Sequence, residues 1–145
     1  MNALASKCWL IVFSLILLSG PVAKAQVAGP GSALNLNGST GYIQATNNVW
    51  FSGDFTVEAW VFVRSYTSWA RLIDFANGPN NQNVYVALSA GFTGKPAMGV
   101  FTNTGVPVVQ ATSQLPLNQW VHLAATLNGT NGTIYINGNV VGSGT

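Results

Sequence analysis

The chain has 145 residues, enough for one domain, and only 6% of them are charged. Its formal charge of +2 comes from Lys7 and Lys24 near the start; further on, Arg64, Arg71 and Lys95 balance Asp54, Glu58 and Asp74. A body with no net charge and no basic stripe has few counterions to displace from a phosphate backbone, which argues against nucleic acid as a partner.

The first segment has the layout of a secretory signal. Lys7 supplies a positive start, Trp9 to Ser19 is almost wholly apolar, and Ala23-Lys24-Ala25 presents small residues for cleavage before Gln26. Residues 1–25 are therefore expected to be a signal peptide. The apolar run is shorter than the ~20 residues that cross a bilayer and ends at Gly20-Pro21, so no membrane span is expected after cleavage. The expected location is extracellular, with the cell surface or a periplasm as variants. Cys8 leaves with the leader, and the mature chain must fold without disulfides on a core of adequate size, since a domain of roughly 120 residues buries about two thirds of its unfolded surface.

Residues 26–32, with Gly29-Pro30-Gly31, read as a linker. From Ala33 onward β-branched and apolar runs alternate with Gly, Asn, Ser and Thr clusters, and no segment keeps a helical period. The expected strands are 33–36, 42–45, 55–63, 71–75, 84–89, 97–101, 106–111, 120–127, 133–136 and 140–142, an all-β pattern of packed antiparallel sheets. In the longest, Phe55, Val57, Ala59, Val61 and Val63 point one way and Thr56, Glu58, Trp60 and Phe62 the other. Both faces are largely apolar, so this strand and 120–127 are expected in the middle of their sheets, with Trp60 and Trp120 in the core. Asn137-Gly138 between Tyr135-Ile136 and Val140-Val141 is the clearest hairpin turn; Asn131-Gly132 and Asn37-Gly38 are weaker versions.

The stretches 54–61 (DFTVEAWV), 68–75 (SWARLIDF) and 120–124 (WVHLA), followed by Ile134-Tyr135-Ile136-Asn137-Gly138, resemble in this order the laminin-G-like jelly-roll domains of the concanavalin-A-like superfamily. Ala33-Leu34-Asn35-Leu36-Asn37-Gly38 is similar to that family's first strand and turn. The resemblance covers residues 33–145 and implies a two-sheet antiparallel β-sandwich, often one module of a larger extracellular protein with further domains. Family domains continue past the Asn-Gly hairpin to a strand that pairs beside the first, so the domain is expected to be incomplete at its C-terminus.

An enzyme of this fold is most simply a retaining glycoside hydrolase, which needs two carboxyl groups about 5 Å apart. Asp54 and Glu58 are four residues apart on one strand, roughly 13 Å, and only Asp74 is left to help. The structural reading has Asp54 bonding local backbone at its Ser-Gly-Asp turn and Glu58 paired with Arg64 or Arg71. His122 faces no cysteine or motif serine and is expected to meet a backbone carbonyl. One histidine and no mature cysteine also exclude a closed zinc site. The Asn-rich run 74–83 offers oxygen ligands, and many laminin-G-like relatives bind calcium, which makes Asp74 and Asn77 the candidate ligands of a weak calcium site against a turn-forming alternative.

A glycan surface needs an aromatic ring for the apolar face of a sugar and polar groups for its hydroxyls. Tyr66 and Trp69, in a Ser/Thr-containing connection, are the candidates, whereas Trp50 between Val49 and Phe51 reads as a plug at the end of the core. Asn37, Asn128 and Asn131 fit the Asn-x-Ser/Thr glycosylation pattern. The sequence thus points to a non-catalytic binding or adhesion module for carbohydrate or extracellular matrix ligands. The alternatives are a structural spacer, favoured if Tyr66 and Trp69 are both buried, and a glycoside hydrolase, which requires Asp54, Glu58 and Asp74 to converge.

Overall fold

The structure, a computed structural model, describes residues 33–46, 52–76, 83–101 and 108–145. The expected leader, the linker, Trp50 and Asn77 lie outside them. Among the described residues eight strands form: β1 (Phe55–Phe62), β2 (Arg71–Phe75), β3 (Val84–Ala87), β4 (Ala97–Val100), β5 (Val108–Gln110), β6 (Trp120–Asn128), β7 (Asn131–Ile136) and β8 (Asn139–Gly144). They make two antiparallel four-stranded sheets, ordered β1-β6-β7-β8 and β2-β3-β4-β5. The β-sandwich read from the sequence is the observed architecture.

The core lies between the sheets and follows from period-two alternation. Val61, Val121, Leu123, Ala125 and Ile134 of the first sheet join Val86, Met98 and Val109 of the second in one buried cluster, together with Val63, Ala111 and Leu115 from outside the strands. Each fully buried Val, Leu or Ile in such a cluster contributes roughly 1.5–3 kcal/mol. The sheets are also joined beyond β5, where the Thr112 amide donates to the Val141 carbonyl at 2.7 Å.

Asn137-Gly138 closes the β7–β8 hairpin with φ of 49° and 78°, the pair of positive values that a two-residue turn of this hand requires. Asn131-Gly132, in contrast, opens β7. The β6–β7 turn is Gly129-Thr130, because Asn128 and Asn131 are already a cross-strand pair.

Three expectations about strands need correction. Segments 33–36 and 42–45 join no ladder, and Leu34, Leu36, Tyr42 and Ile43 are exposed. A local turn shapes this stretch, with the Asn37 carboxamide oxygen accepting from the amides of Ser39, Thr40 and Gly41, and Arg64 ties it to the body through Asn35 Oδ1. β1 is an edge strand among the described residues, not a central one, whereas β6 is internal. Trp60 and Trp120 are 55% and 40% exposed rather than core, because Val57, Ala59 and Val61 take the inward positions of β1 and no described layer covers the other face.

Candidate functional site

Aromatic and charged residues gather on the outer face of each sheet. On the first, cross-strand register sets Glu58 opposite Ala124, Trp60 opposite His122 and Phe62 opposite Trp120. Trp60 and His122 rings lie 5.4 Å apart, and Phe62 meets Trp120 edge-on at 5.6 Å. His122 Nε2 is 3.5 Å from Glu58 Oε2, so Glu58 pairs with neither Arg64 nor Arg71, and the imidazole faces a carboxylate instead of the expected backbone carbonyl. The backbone of His122 is held separately: its amide donates to Asn137 Oδ1 at 3.0 Å, and its carbonyl accepts the Asn137 amide at 2.8 Å. Arg64 donates to Asn35 Oδ1 and lies over the Phe62 ring.

The outer face of the second sheet is built around Tyr85. Val86 faces the core, so Tyr85 faces outward, yet it is only 3% exposed. Its ring lies flat across Gly99, its cross-strand partner on β4, where an added Cβ would come within 2.7 Å of two ring carbons and the hydroxyl oxygen. Trp69 stands at 90° to it with centroids 6.2 Å apart, and Phe101 flanks it at 6.0 Å. The Arg71 guanidinium stacks 4.0 Å above the Tyr85 ring and 5.3 Å from that of Trp69, a double cation–π contact. Asp74 Oδ2 approaches Arg71 Nε at 3.5 Å. Burial pushes the Tyr85 phenol above its ordinary pKa; the nearby Arg71 charge works against that shift and Asp74 adds to it.

Trp69 itself is 43% exposed and has φ of 54°. Left-handed backbone is uncommon for any residue but glycine and is an outlier for a bulky one, at a cost of roughly 1–2 kcal/mol. Two hydrogen bonds hold it there: the Trp69 amide donates to the Gly91 carbonyl, and the Ala70 amide to that of Thr67. The result is a rigid indole presented to solvent beside an arginine and a carboxylate.

Tyr66 has a different setting. Its hydroxyl donates to the Leu115 carbonyl at 2.6 Å, and its ring packs on the core and closes over Gly94, whose φ of 70° and lack of a side chain leave room for it. Of the two rings singled out in the sequence, Trp69 carries the open surface and Tyr66 a tie to the core. Of the calcium candidates, Asp74 faces Arg71 and Asn77 lies outside the description, and no group of three or more His, Cys, Asp or Glu occurs among the described residues.

The three carboxylates do not converge. Asp54 Oδ1 accepts the Gly129 amide at 2.6 Å, tying the start of β1 to the β6–β7 turn rather than to the neighbouring backbone as expected. Glu58 is on the outer face of the first sheet and Asp74 on the outer face of the second, with the core between them. Among the described residues no helix is long and apolar enough to cross a membrane. Arg71 and Tyr85 were missed by sequence reasoning. Tyr85 reads as one more strand aromatic, and only its pairing with a glycine makes it a floor.

Residues 37–145 match the laminin-G-type family model described as the concanavalin A-like lectin/glucanases superfamily. A comparison with curated proteins finds no match.

Proposed function

Because the chain belongs to this laminin-G-type family of the concanavalin A-like lectin/glucanases superfamily, whose domains are typically binding modules, we propose that it is a secreted, non-catalytic module that binds carbohydrate on the outer face of its second sheet. The observation that carries this reading is Trp69: a bulky ring held at positive φ, half open to solvent, and braced by Tyr85 and Arg71. Backbone strain persists where surrounding structure over-determines it, and such positions cluster at binding sites. An exposed indole stacks on the apolar face of a pyranose, while the adjacent guanidinium and carboxylate are suited to its hydroxyls.

The outer face of the first sheet has more exposed aromatic surface, but its rings sit on ordinary strand backbone and their exposure follows from alternation alone. The separation of Asp54, Glu58 and Asp74 supports the non-catalytic reading, and the exposure of Trp69 supports a binding role over a spacer. The proposal is tested by retention on immobilised polysaccharides and by titration with the oligosaccharides that retain it. The wild-type chain should be retained and Trp69→Ala should lose at least roughly tenfold in affinity, the order of one lost ring-stacking contact. Equal retention of the variant, or no retention of either, sinks it.

A further inference from the structure

We propose that the Trp69 surface selects an acidic sugar, a uronic acid residue whose carboxylate is taken by the fork of Arg71 without a metal ion; this rests on the carbohydrate reading above. Arg71 is the unusual member of the site. One face of its guanidinium lies on Tyr85 at 4.0 Å, and its Nε edge points to Asp74. Among the described residues no acceptor meets Nη1 or Nη2, although the side chain is only 33% exposed. An arginine is a flat fork, and stacking on an aromatic ring fixes its plane while leaving its donor edge open. With the side chain already fixed, a ligand that pairs with that edge avoids most of the ordering cost such a contact normally carries.

The matching group is planar, anionic and bidentate. A carboxylate meets all three conditions and pairs fork to fork with guanidinium in one plane. The Arg71–Asp74 contact does not satisfy the arginine: at 3.5 Å it is longer than the 2.7–2.9 Å of a charge-assisted hydrogen bond, and it uses Nε rather than the outer nitrogens. The same guanidinium lies over the Trp69 ring, with Cζ 5.3 Å from the ring centroid. A pyranose stacked on the indole can therefore turn a carboxylate on its ring carbon toward Arg71. Neutral sugars keep the stacking contact and lose the ion pair, so acidity is read by one residue and ring shape by the other.

Asp74 adds a second element. Its carboxylate shares the arginine and repels an incoming anion, which sets the affinity below what Arg71 alone would give. Replacing it with the neutral isostere keeps the shape and removes the competitor.

The test titrates the full chain by calorimetry with a galacturonic acid oligosaccharide, its carboxyl-reduced neutral counterpart and a sulfated galactan oligosaccharide of equal length, each with and without a chelator. Circular dichroism and thermal melting confirm that every variant is folded. The uronide should bind roughly tenfold or more tighter than its reduced counterpart, as a charge-assisted pair predicts, and chelator should change nothing. Arg71→Met should erase that preference by weakening the uronide far more than the neutral sugar, and Asp74→Asn should tighten the uronide severalfold relative to the neutral sugar. Trp69→Ala should weaken both. Equal affinity for the uronide and its reduced form, with Arg71→Met indifferent, overturns the inference and leaves the carbohydrate reading standing. Preference for the sulfated sugar overturns the carboxylate assignment, and loss with chelator overturns direct capture by arginine. If none of the three binds, the carbohydrate reading on these probes fails and the inference with it.

Discussion

Arg71 and Asp74 stand three residues apart on one strand and still share a face, with Nε and Oδ2 3.5 Å apart. In a regular strand an odd spacing sends two side chains to opposite faces. Here the register slips between Arg71 and Ile73, so that Arg71 pairs with Ala87 and Ile73 with the very next residue, Val86. The bulge turns both Leu72 and Ile73 toward the core and leaves Arg71 and Asp74 outward beside Tyr85. The pair is partly exposed and its contact is long, so its own contribution to stability is small. Asp74→Asn should change the free energy of unfolding by less than about 1 kcal/mol, as read from denaturant midpoints at equal slope. A loss several times larger indicates that Asp74 is tied to something beyond Arg71.

Gly99 is the position that lets Tyr85 lie flat. A methyl group there would sit 2.5–2.7 Å from two ring carbons and the hydroxyl oxygen, and the Arg71 guanidinium lies 4.0 Å over the ring. Gly99→Ala should therefore destabilise the domain by roughly 1–3 kcal/mol, the ordinary cost of overpacking, and should also abolish binding on the Trp69 surface. Denaturant unfolding combined with the oligosaccharide titration separates the two effects. Unchanged stability and unchanged binding show that the ring does not need to lie flat.

Tyr66→Phe tests the division between the two rings of the 64–70 connection. The hydroxyl bond to the Leu115 carbonyl lies at the edge of the core, and Leu115 is fully buried. Removing one partner of such a bond costs about 1–2 kcal/mol. The substitution should lower the melting temperature by several degrees and leave ligand affinity unchanged. Weaker binding at unchanged stability reverses the assignment and makes Tyr66 a contact residue.

The Tyr85 phenol gives the domain an alkaline limit. Its folded pKa is raised by burial, so the folded state holds the proton more tightly than the unfolded chain does. The corresponding stability is fully present below the unfolded value of about 10 and is lost as pH rises through the higher folded value. Melting temperature should therefore fall above pH 10, and Tyr85→Phe should flatten that part of the profile. An identical decline in wild type and variant assigns the alkaline loss to other groups.

How far the fold is legible in the sequence depends on the range of the interaction. Asn137-Gly138 announces its hairpin because both positive φ values are a property of the two residues themselves. The alternation of 55–62 likewise gives two correct faces. It does not say which sheet edge a strand occupies, since β1 and β6 have nearly the same pattern and only one of them is internal. The site is less legible. Tyr85 over Gly99, Glu58 beside His122 and Asp54 on the Gly129 amide join residues 14, 64 and 75 positions apart, and each depends on register or on a turn that the linear order does not specify. The bulge at Leu72 is hidden for the same reason: in Arg71-Leu72-Ile73-Asp74 the two apolar residues read as ordinary strand, and only pairing with Val86 reveals the extra one.

Trp60 and Val61 are adjacent, and the structure sends them to opposite faces of the sheet. Trp60 is 55% exposed and touches mainly His122 across the strand, whereas Val61 is 8% exposed within the central cluster. A ranking by size predicts that truncating the tryptophan does more harm, since a buried Trp→Ala costs about 3–5 kcal/mol. The observed facing predicts the reverse order. Trp60→Ser should cost about 1 kcal/mol or less, the value of an exposed cross-strand pair, and Val61→Ala should cost more because it opens a cavity in the buried cluster beside its cross-strand partner Val121. Parallel urea titrations of the two variants decide the matter. If Trp60→Ser proves the more damaging, a layer outside the described residues covers the first sheet, and its outer face belongs to the core after all.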